Sequence, residues 1–224
     1  MKRTTLVLGV LVLALLTVLL GCASSEARAA RSGDIDALRE YVADGGDVNA
    51  PQRNGQSLLM IATQCGQIES VRFLLDSGAA IEARDERGQT ALHYAAAVGN
   101  QPIVTLLIER GAQVDARDNG GSTPLMVAAS AGHVAVVDRL LQEGADPDRR
   151  DNAGETALFQ GVRANNRAIV ESLLASGADP TATDGQGSTM LFLALRDDRA
   201  AIAELLLENG VDPRRTNSQG SAPI

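Results

Sequence analysis

Aromatic side chains are nearly missing from this chain: no Trp, two Tyr and three Phe among 224 residues. Hydrophobic residues still reach 45%. A core of Leu, Val, Ile and Ala is therefore available, which suits thin layers of close-packed helices better than one bulky globular core. Positive charge is also short. Lys and Arg number 20 against 28 Asp and Glu, a formal charge of −8, and loss of a leader carrying Lys2 and Arg3 takes it to −10. That balance argues against a sequence-independent affinity for phosphate backbones, so no nucleic-acid partner is expected. Two cysteines, Cys22 and Cys65, allow at most one disulfide, and His93 and His133 are the chain's two histidines.

What the chain has in quantity is glycine at a fixed step. Gly45, Gly78, Gly111, Gly144, Gly177 and Gly210 stand 33 residues apart, as do Gly55, Gly88, Gly121, Gly154, Gly187 and Gly220. A third series, Gly33, Gly66, Gly99 and Gly132, continues as Asn165 and Asp198. Self-similarity at such a period dictates the architecture before any element is assigned. An array of repeats also removes the usual relation between length and domain number.

Each recurring position has a mechanical reason. Ser57, Thr90, Thr123, Thr156 and Thr189 fall where a first helix starts, and a hydroxyl there accepts a free backbone N–H. Pro124 follows at the first helical position, where proline is tolerated. Leu59, Leu92, Leu125, Leu158 and Leu191 form a buried spine, and Ala62, Ala95, Ala128 and Ala194 keep one helix face small. Asn165 and Asp198 replace turn glycines and are among the residue types that best tolerate a positive φ. Gly78 and its equivalents end the second helix. The fifth copy departs most: Phe159 replaces the His93 position, Gly161 the helix alanine, and Asn165 the turn glycine. A helix-interior glycine costs about 0.5–1 kcal/mol relative to Ala, so this copy is expected to be the weak link.

The pattern resembles the ankyrin repeat, whose signature includes T-P-L-H-x-A at a 33-residue period. Thr123-Pro124-Leu125-Met126-Val127-Ala128-Ala129 and Thr90-Ala91-Leu92-His93-Tyr94-Ala95-Ala96 carry the likeness, and it covers residues 26–224 with no insertion. The resemblance implies an all-α repeat solenoid of six helix pairs, each pair followed by a β-hairpin-like finger. The first unit has an abbreviated polar start, as a capping repeat should. Ser221, Ala222, Pro223 and Ile224 read as the start of a seventh first helix. The sixth pair, with Leu191, Leu195, Ile202 and Leu206, is thus expected to be incompletely covered unless the tail folds over it.

Residues 1–21 stand apart. Lys2 and Arg3 precede an apolar run over residues 6–20, broken by Gly9 and Thr17. As a helix it spans about 22 Å, short of the ~20 apolar residues of a membrane crossing. It has the length and flanks of a signal-peptide core. It ends in Leu19-Leu20-Gly21-Cys22, which resembles the lipobox of bacterial lipoproteins, with Leu20 a less usual choice than Ala or Ser at its position. That resemblance implies cleavage before Cys22, lipidation of its thiol and acylation of the new amino group. Several acyl chains, at about 0.8 kcal/mol per buried CH₂, make a stable anchor. Ala23 in place of Asp implies sorting to the outer membrane, facing the periplasm. Residues 22–25 are then a tether of ~14 Å at most, so the array starts close to the lipid.

Little in the chain suggests chemistry. His93 and His133 fall at positions that the ankyrin family favours for turn and finger stabilisation, and neither has a Cys or carboxylate at metal-ligand spacing. Cys65 reads as a packed thiol, with no base to activate it. The charged runs over residues 82–87 and 148–151 recur with the repeat and read as solvated, salt-bridged fingers. Asp85, Asp118, Asp151 and Asp184 read as finger-turn bonds. No metal, cofactor or catalytic set is expected, and the chain is read as a monomeric, non-enzymatic protein.

A surface remains. Ankyrin proteins bind partners on the concave side, which by register places Ile61, Tyr94, Val127, Gln160 and Leu193 in one column. Gln64, Ala97, Ser130, Arg163 and Arg196 form its neighbour. An apolar stripe there suits a partner site, and packing of the same residues beneath the fingers is the equal alternative. The expected function is a lipid-anchored scaffold for a periplasmic or envelope protein. An inhibitor or immunity protein against a toxic effector is the alternative, and an enzyme or small-ligand binder the weakest.

Overall fold

The computed structural model describes residues 24–217 and Gly220. Cys22 and the leader, and residues 221–224 read as a seventh helix start, lie outside the described residues. Twelve α-helices occur among the described residues, in six pairs. They are α1 (Ser25–Ser32) with α2 (Ile35–Ala43), α3 (Leu58–Gln64) with α4 (Ile68–Asp76), and α5 (Ala91–Val98) with α6 (Gln101–Glu109). The others are α7 (Pro124–Ala131) with α8 (Val134–Gln142), α9 (Ala157–Arg163) with α10 (Arg167–Ala175), and α11 (Met190–Arg196) with α12 (Ala200–Glu208). First helices stack on first helices and second on second, giving two layers, the first of them the closer packed. The result is an all-α solenoid.

Local chemistry sets the boundaries. The hydroxyls of Ser57, Thr123 and Thr189 accept the N–H groups of Met60, Met126 and Phe192 at 3.3, 3.4 and 3.2 Å. Second helices are capped in the same way by Asp34, Asn100 and Asn166, at 3.0, 3.1 and 3.2 Å. Between helices the chain turns through positive φ, and Asn165 (52°) and Asp198 (55°) do this where earlier copies use glycine. Both lie in the left-handed region that these two residue types reach at lowest cost. The spine leucines 59, 92, 125, 158 and 191 are at most 1% exposed. Each contributes about 1.5–3 kcal/mol by burial.

The fingers are hairpin-like turns, in which the N–H groups of Gln52, Asp85, Asp118, Asp151 and Asp184 donate to the carbonyls of Gln56, Gln89, Ser122, Glu155 and Ser188 at 2.8–3.1 Å. They contain no paired strand among the described residues, only a bridge between Thr183 and Thr189. Each is a turn bonded to the next turn at its tip. The N–H groups of Glu86, Asn119, Asn152 and Gly185 donate to the carbonyls of Asn54, Arg87, Gly120 and Ala153 at 2.8–3.1 Å. Stacking of turn on turn supplements the hairpin-like bond within each finger.

The fifth repeat is the least regular. The Thr156 hydroxyl is buried without a partner instead of capping α9. Gly161 has a packing role that its sequence position did not disclose. A Cβ added there would stand 2.9 Å from Cγ2 of Ile169, so glycine is what lets α9 and α10 approach. At the C-terminal end Leu191, Ile202 and Leu206 are covered, whereas Leu195 and Leu207 are 37% and 40% exposed.

Candidate functional site

The layer of first helices and the fingers beside it hold every residue nominated for recognition within the described region. The structure divides the first column. Ile61 and Leu193 are buried, at 4% and 6% exposure. Tyr94, Val127 and Gln160 are half-buried. The column is therefore not a continuous exposed apolar stripe. Its neighbour is open throughout: Gln64, Ala97, Ser130, Arg163 and Arg196 are all exposed.

Two polar networks tie the columns to the fingers. The Tyr94 hydroxyl donates to Asp85 Oδ2 at 2.8 Å and accepts from Gln56 Nε2 at 2.9 Å. Burial, and then that bond to Asp85, raises the Tyr94 pKa. Two repeats further on, Glu155 accepts from Gln160 Nε2 at 3.0 Å and pairs with Arg163 Nη2 at 3.0 Å. Glu155 is 8% exposed. Its burial holds the carboxyl above its ordinary range, more than the Arg163 charge lowers it. Sequence reasoning missed Glu155. The available signal was that its finger position carries Gln56, Gln89, Ser122 and Ser188 in the other copies, all uncharged.

Beside Glu155 the surface opens into a hollow of about 380 Å³ with walls that include Phe159, Phe192, Leu193, Arg163 and Arg196. Arg163 is 54% exposed and Arg196 is 59% exposed. Arg196 lies along Asp197, with Nε at 2.8 Å. This hollow can receive a side chain and can offer guanidinium donors.

The remaining titratable groups have structural duties. His93 is buried. Its Nδ1 accepts from the Thr90 N–H at 3.2 Å, so the neutral ring carries its proton on Nε2 and donates to the Ser122 carbonyl at 3.1 Å. Burial lowers its pKa. His133 Nε2 bonds the Ala97 carbonyl at 3.0 Å, and its ring occupies the space that a Cβ on Gly99 would need. Both histidines thus link one repeat to its neighbour. Cys65 is a free, half-buried thiol, less enclosed than expected. Among the described residues no group of three or more His, Cys, Asp or Glu could hold a metal ion, and no helix is long and apolar enough to cross a membrane.

The finger aspartates bond their turns as expected. Asp85, Asp151 and Asp184 each accept two N–H groups of their own turn through Oδ1, and Asp118 accepts from Ser122. The charged runs are salt-bridged in part, with Arg149 Nε 3.7 Å from Asp115 Oδ2 and 3.4 Å from Asp146 Oδ2, and otherwise bond the backbone. Glu82 and Asp148 accept the N–H groups of Gln113 and Asp179, each about one repeat ahead, at 2.8 and 2.9 Å. Asn49 and Asp115 repeat that bond to Ala80 and Asp146. Arg84 and Arg150 donate to backbone carbonyls, including those of Arg117 and Thr183. The recurring charges latch neighbouring repeats.

Comparison with known proteins agrees with this architecture. A family model described as ankyrin repeats (3 copies) matches residues 27–118 and 113–184. The crystal structure of the ankyrin repeat domain of Bcl-3, described as a unique member of the IkappaB protein family, superposes with a TM-score of 0.80. It is 27% identical and the match covers 89% of this chain and 92% of that one. A search of curated proteins finds no match. Family models cover most of the array, the fold agrees over nearly its full length, and such folds serve as protein-interaction scaffolds: this chain belongs to the ankyrin repeat family.

Proposed function

We propose that this chain is a lipid-anchored, non-enzymatic scaffold of the bacterial envelope that holds a periplasmic or envelope protein on its concave face. The observation that carries the anchor is positional. Cys22 ends an apolar leader two residues before Ser24, whose hydroxyl accepts from Ala27 and caps α1. A lipidated Cys22 would therefore hold the first repeat against the headgroups, with the column of first helices running away from the membrane. The half-buried Tyr94 and Val127, the open second column and the hollow beside Phe192 support binding on that face.

Cys22→Ser tests the anchor. The expected result is loss of membrane partition and a change in mobility; unchanged partition and mobility would remove the lipoprotein reading. Tyr94→Ala with Val127→Ser tests the face. The expected result is weakened capture of the partner that co-purifies with the detergent-solubilised wild type, at unchanged thermal stability apart from the Tyr94 hydroxyl bonds. Capture that is indifferent to both substitutions would remove the surface assignment.

A further inference from the structure

Charge is segregated in this molecule. Of its 28 acidic residues, a single one, Glu26, lies on the first helices, which carry Arg28, Arg31, Arg163 and Arg196. The rest of the negative charge lies on second helices, fingers and turns. The concave helix layer is thus positive within a chain whose net charge is −8. The charge is also of one kind, because every cationic side chain after Lys2 is an arginine, a planar fork matched to carboxylates.

The distribution within that layer is uneven. The columns are uncharged across the second, third and fourth repeats and gain Arg163 and Arg196 in the fifth and sixth. These two occupy the same position in adjacent repeats and flank the apolar walls of Phe192 and Leu193. Each is more than half exposed, and each spends part of its fork on a neighbour. Arg163 gives Nη2 to Glu155, and Arg196 gives Nε and Nη2 to Asp197. Nη1 of both, and Nε of Arg163, take part in neither pairing. The nearest carboxylates are already engaged. Glu155 accepts from Gln160 and Arg163, and Asp184 takes two N–H groups of its own finger. Asp197 also pairs with Arg199.

From this arrangement we infer that the hollow between the fifth and sixth repeats docks an acidic segment of a protein partner, with a carboxylate bridging Arg163 and Arg196 and an apolar side chain against Phe192 and Leu193. The inference rests on the concave-face reading and specifies the chemistry of its partner. Charge complementarity of this kind sets specificity and encounter rate.

The test uses the full chain in detergent and two short fluorescein-labelled peptides, one alternating Glu with Phe and one alternating Lys with Phe, followed by fluorescence anisotropy. The expected result is saturable binding of the Glu peptide alone. Arg163→Gln with Arg196→Gln should weaken it by about tenfold or more, as removal of charge-assisted bonds does. Arg28→Gln with Arg31→Gln should leave it nearly unchanged. Arg196→Gln alone keeps the Glu155 pair intact and should still weaken binding, with the thermal melt as the check on folding. Equal or preferred binding of the Lys peptide, or Glu-peptide binding indifferent to Arg196→Gln, would overturn the inference. Lys-peptide binding that is lost on Tyr94→Ala with Val127→Ser would overturn the acidic partner and leave the concave-face reading standing. Absence of binding by either peptide would overturn this inference alone, since the capture experiment judges the face independently.

Discussion

His93 should make the array sensitive to mild acid. It is the one residue at its repeat position that titrates; Ala27, Met60, Met126, Phe159 and Phe192 occupy the other copies. Its Nδ1 must stay unprotonated to accept the Thr90 N–H, and its Nε2–H satisfies the Ser122 carbonyl. Burial is the main cause that lowers its pKa below 6.5, partly opposed by the Ser122 bond and by Asp118 and Asp85. The sign follows. Below 6.5 the unfolded chain binds a proton at this site that the folded chain still refuses, so stability falls as pH drops towards the folded pKa. Above 6.5 the contribution is complete. One proton limits the slope to about 1.4 kcal/mol per pH unit. His93→Met borrows the residue of the second and fourth repeats, where the Met60 thioether stands 3.4 Å from the Ser57 N–H. The Ser122 carbonyl loses its donor, so at pH 7.5 the variant should be about 1–3 kcal/mol less stable. The assay is urea unfolding followed by circular dichroism from pH 7.5 to 5.5. Wild-type stability should fall across that range and His93→Met should fall less. Parallel profiles would refute the assignment, whatever the variant's stability at neutral pH.

Three further outcomes follow from the packing. Gly161→Ala gains about 1 kcal/mol of helix propensity but presses a Cβ onto Ile169, an overpacking cost of about 1–3 kcal/mol, so it should be neutral to destabilising by up to ~2 kcal/mol; adding Ile169→Leu, which removes Cγ2, should recover at least about 0.5 kcal/mol in a double-mutant cycle. Clear stabilisation by Gly161→Ala alone would show that the helices are free to move apart. Amide exchange in α9, with its uncapped Thr156 and its sparse contact with α11, should be faster than in α5; slower exchange there would contradict the weak-link expectation. Glu155→Gln keeps a partner for Gln160 while removing a buried charge, and should change stability at pH 7 by no more than about 1 kcal/mol because Arg163 is half exposed. A loss of several kcal/mol would mean that the Arg163 pair outweighs the desolvation of Glu155.

Periodicity made the scaffold legible. A residue that recurs at each 33-residue step meets a similar backbone environment each time, so the spine leucines, the capping hydroxyls of Ser57, Thr123 and Thr189 and the positive-φ turns could be assigned without coordinates. Asn165 and Asp198 were legible for the same reason, since the position defines the conformation and the residue type has only to tolerate it. What stayed hidden were contacts that cross the period. The reach of Gln56 to Tyr94 spans 38 residues, and the latch of Glu82 on Gln113 spans 31. Each depends on side-chain length and direction at a repeat boundary, which register does not specify. Gly161 shows the limit most plainly. Read along the chain it is a defect in a helix; read across the α9–α10 contact it makes room for Ile169.

The same distinction governs the candidate surface. Register groups Ile61, Tyr94, Val127, Gln160 and Leu193 on one side of the first helices, but membership of a face does not guarantee access to it. Two of the five, Ile61 and Leu193, are buried, and Tyr94 and Gln160 already hold hydrogen bonds within the chain. A partner that used them would have to compete with Asp85 and Glu155, so their loss on mutation mixes stability with recognition. Val127, half-buried on the fourth repeat and without side-chain hydrogen bonds, is the cleaner probe of the column. If Val127→Ser weakens capture while the melting temperature holds, the effect belongs to the interface. If capture and melting temperature fall together, the column serves the stack, and recognition must be sought on the open column that runs from Gln64 to Arg196.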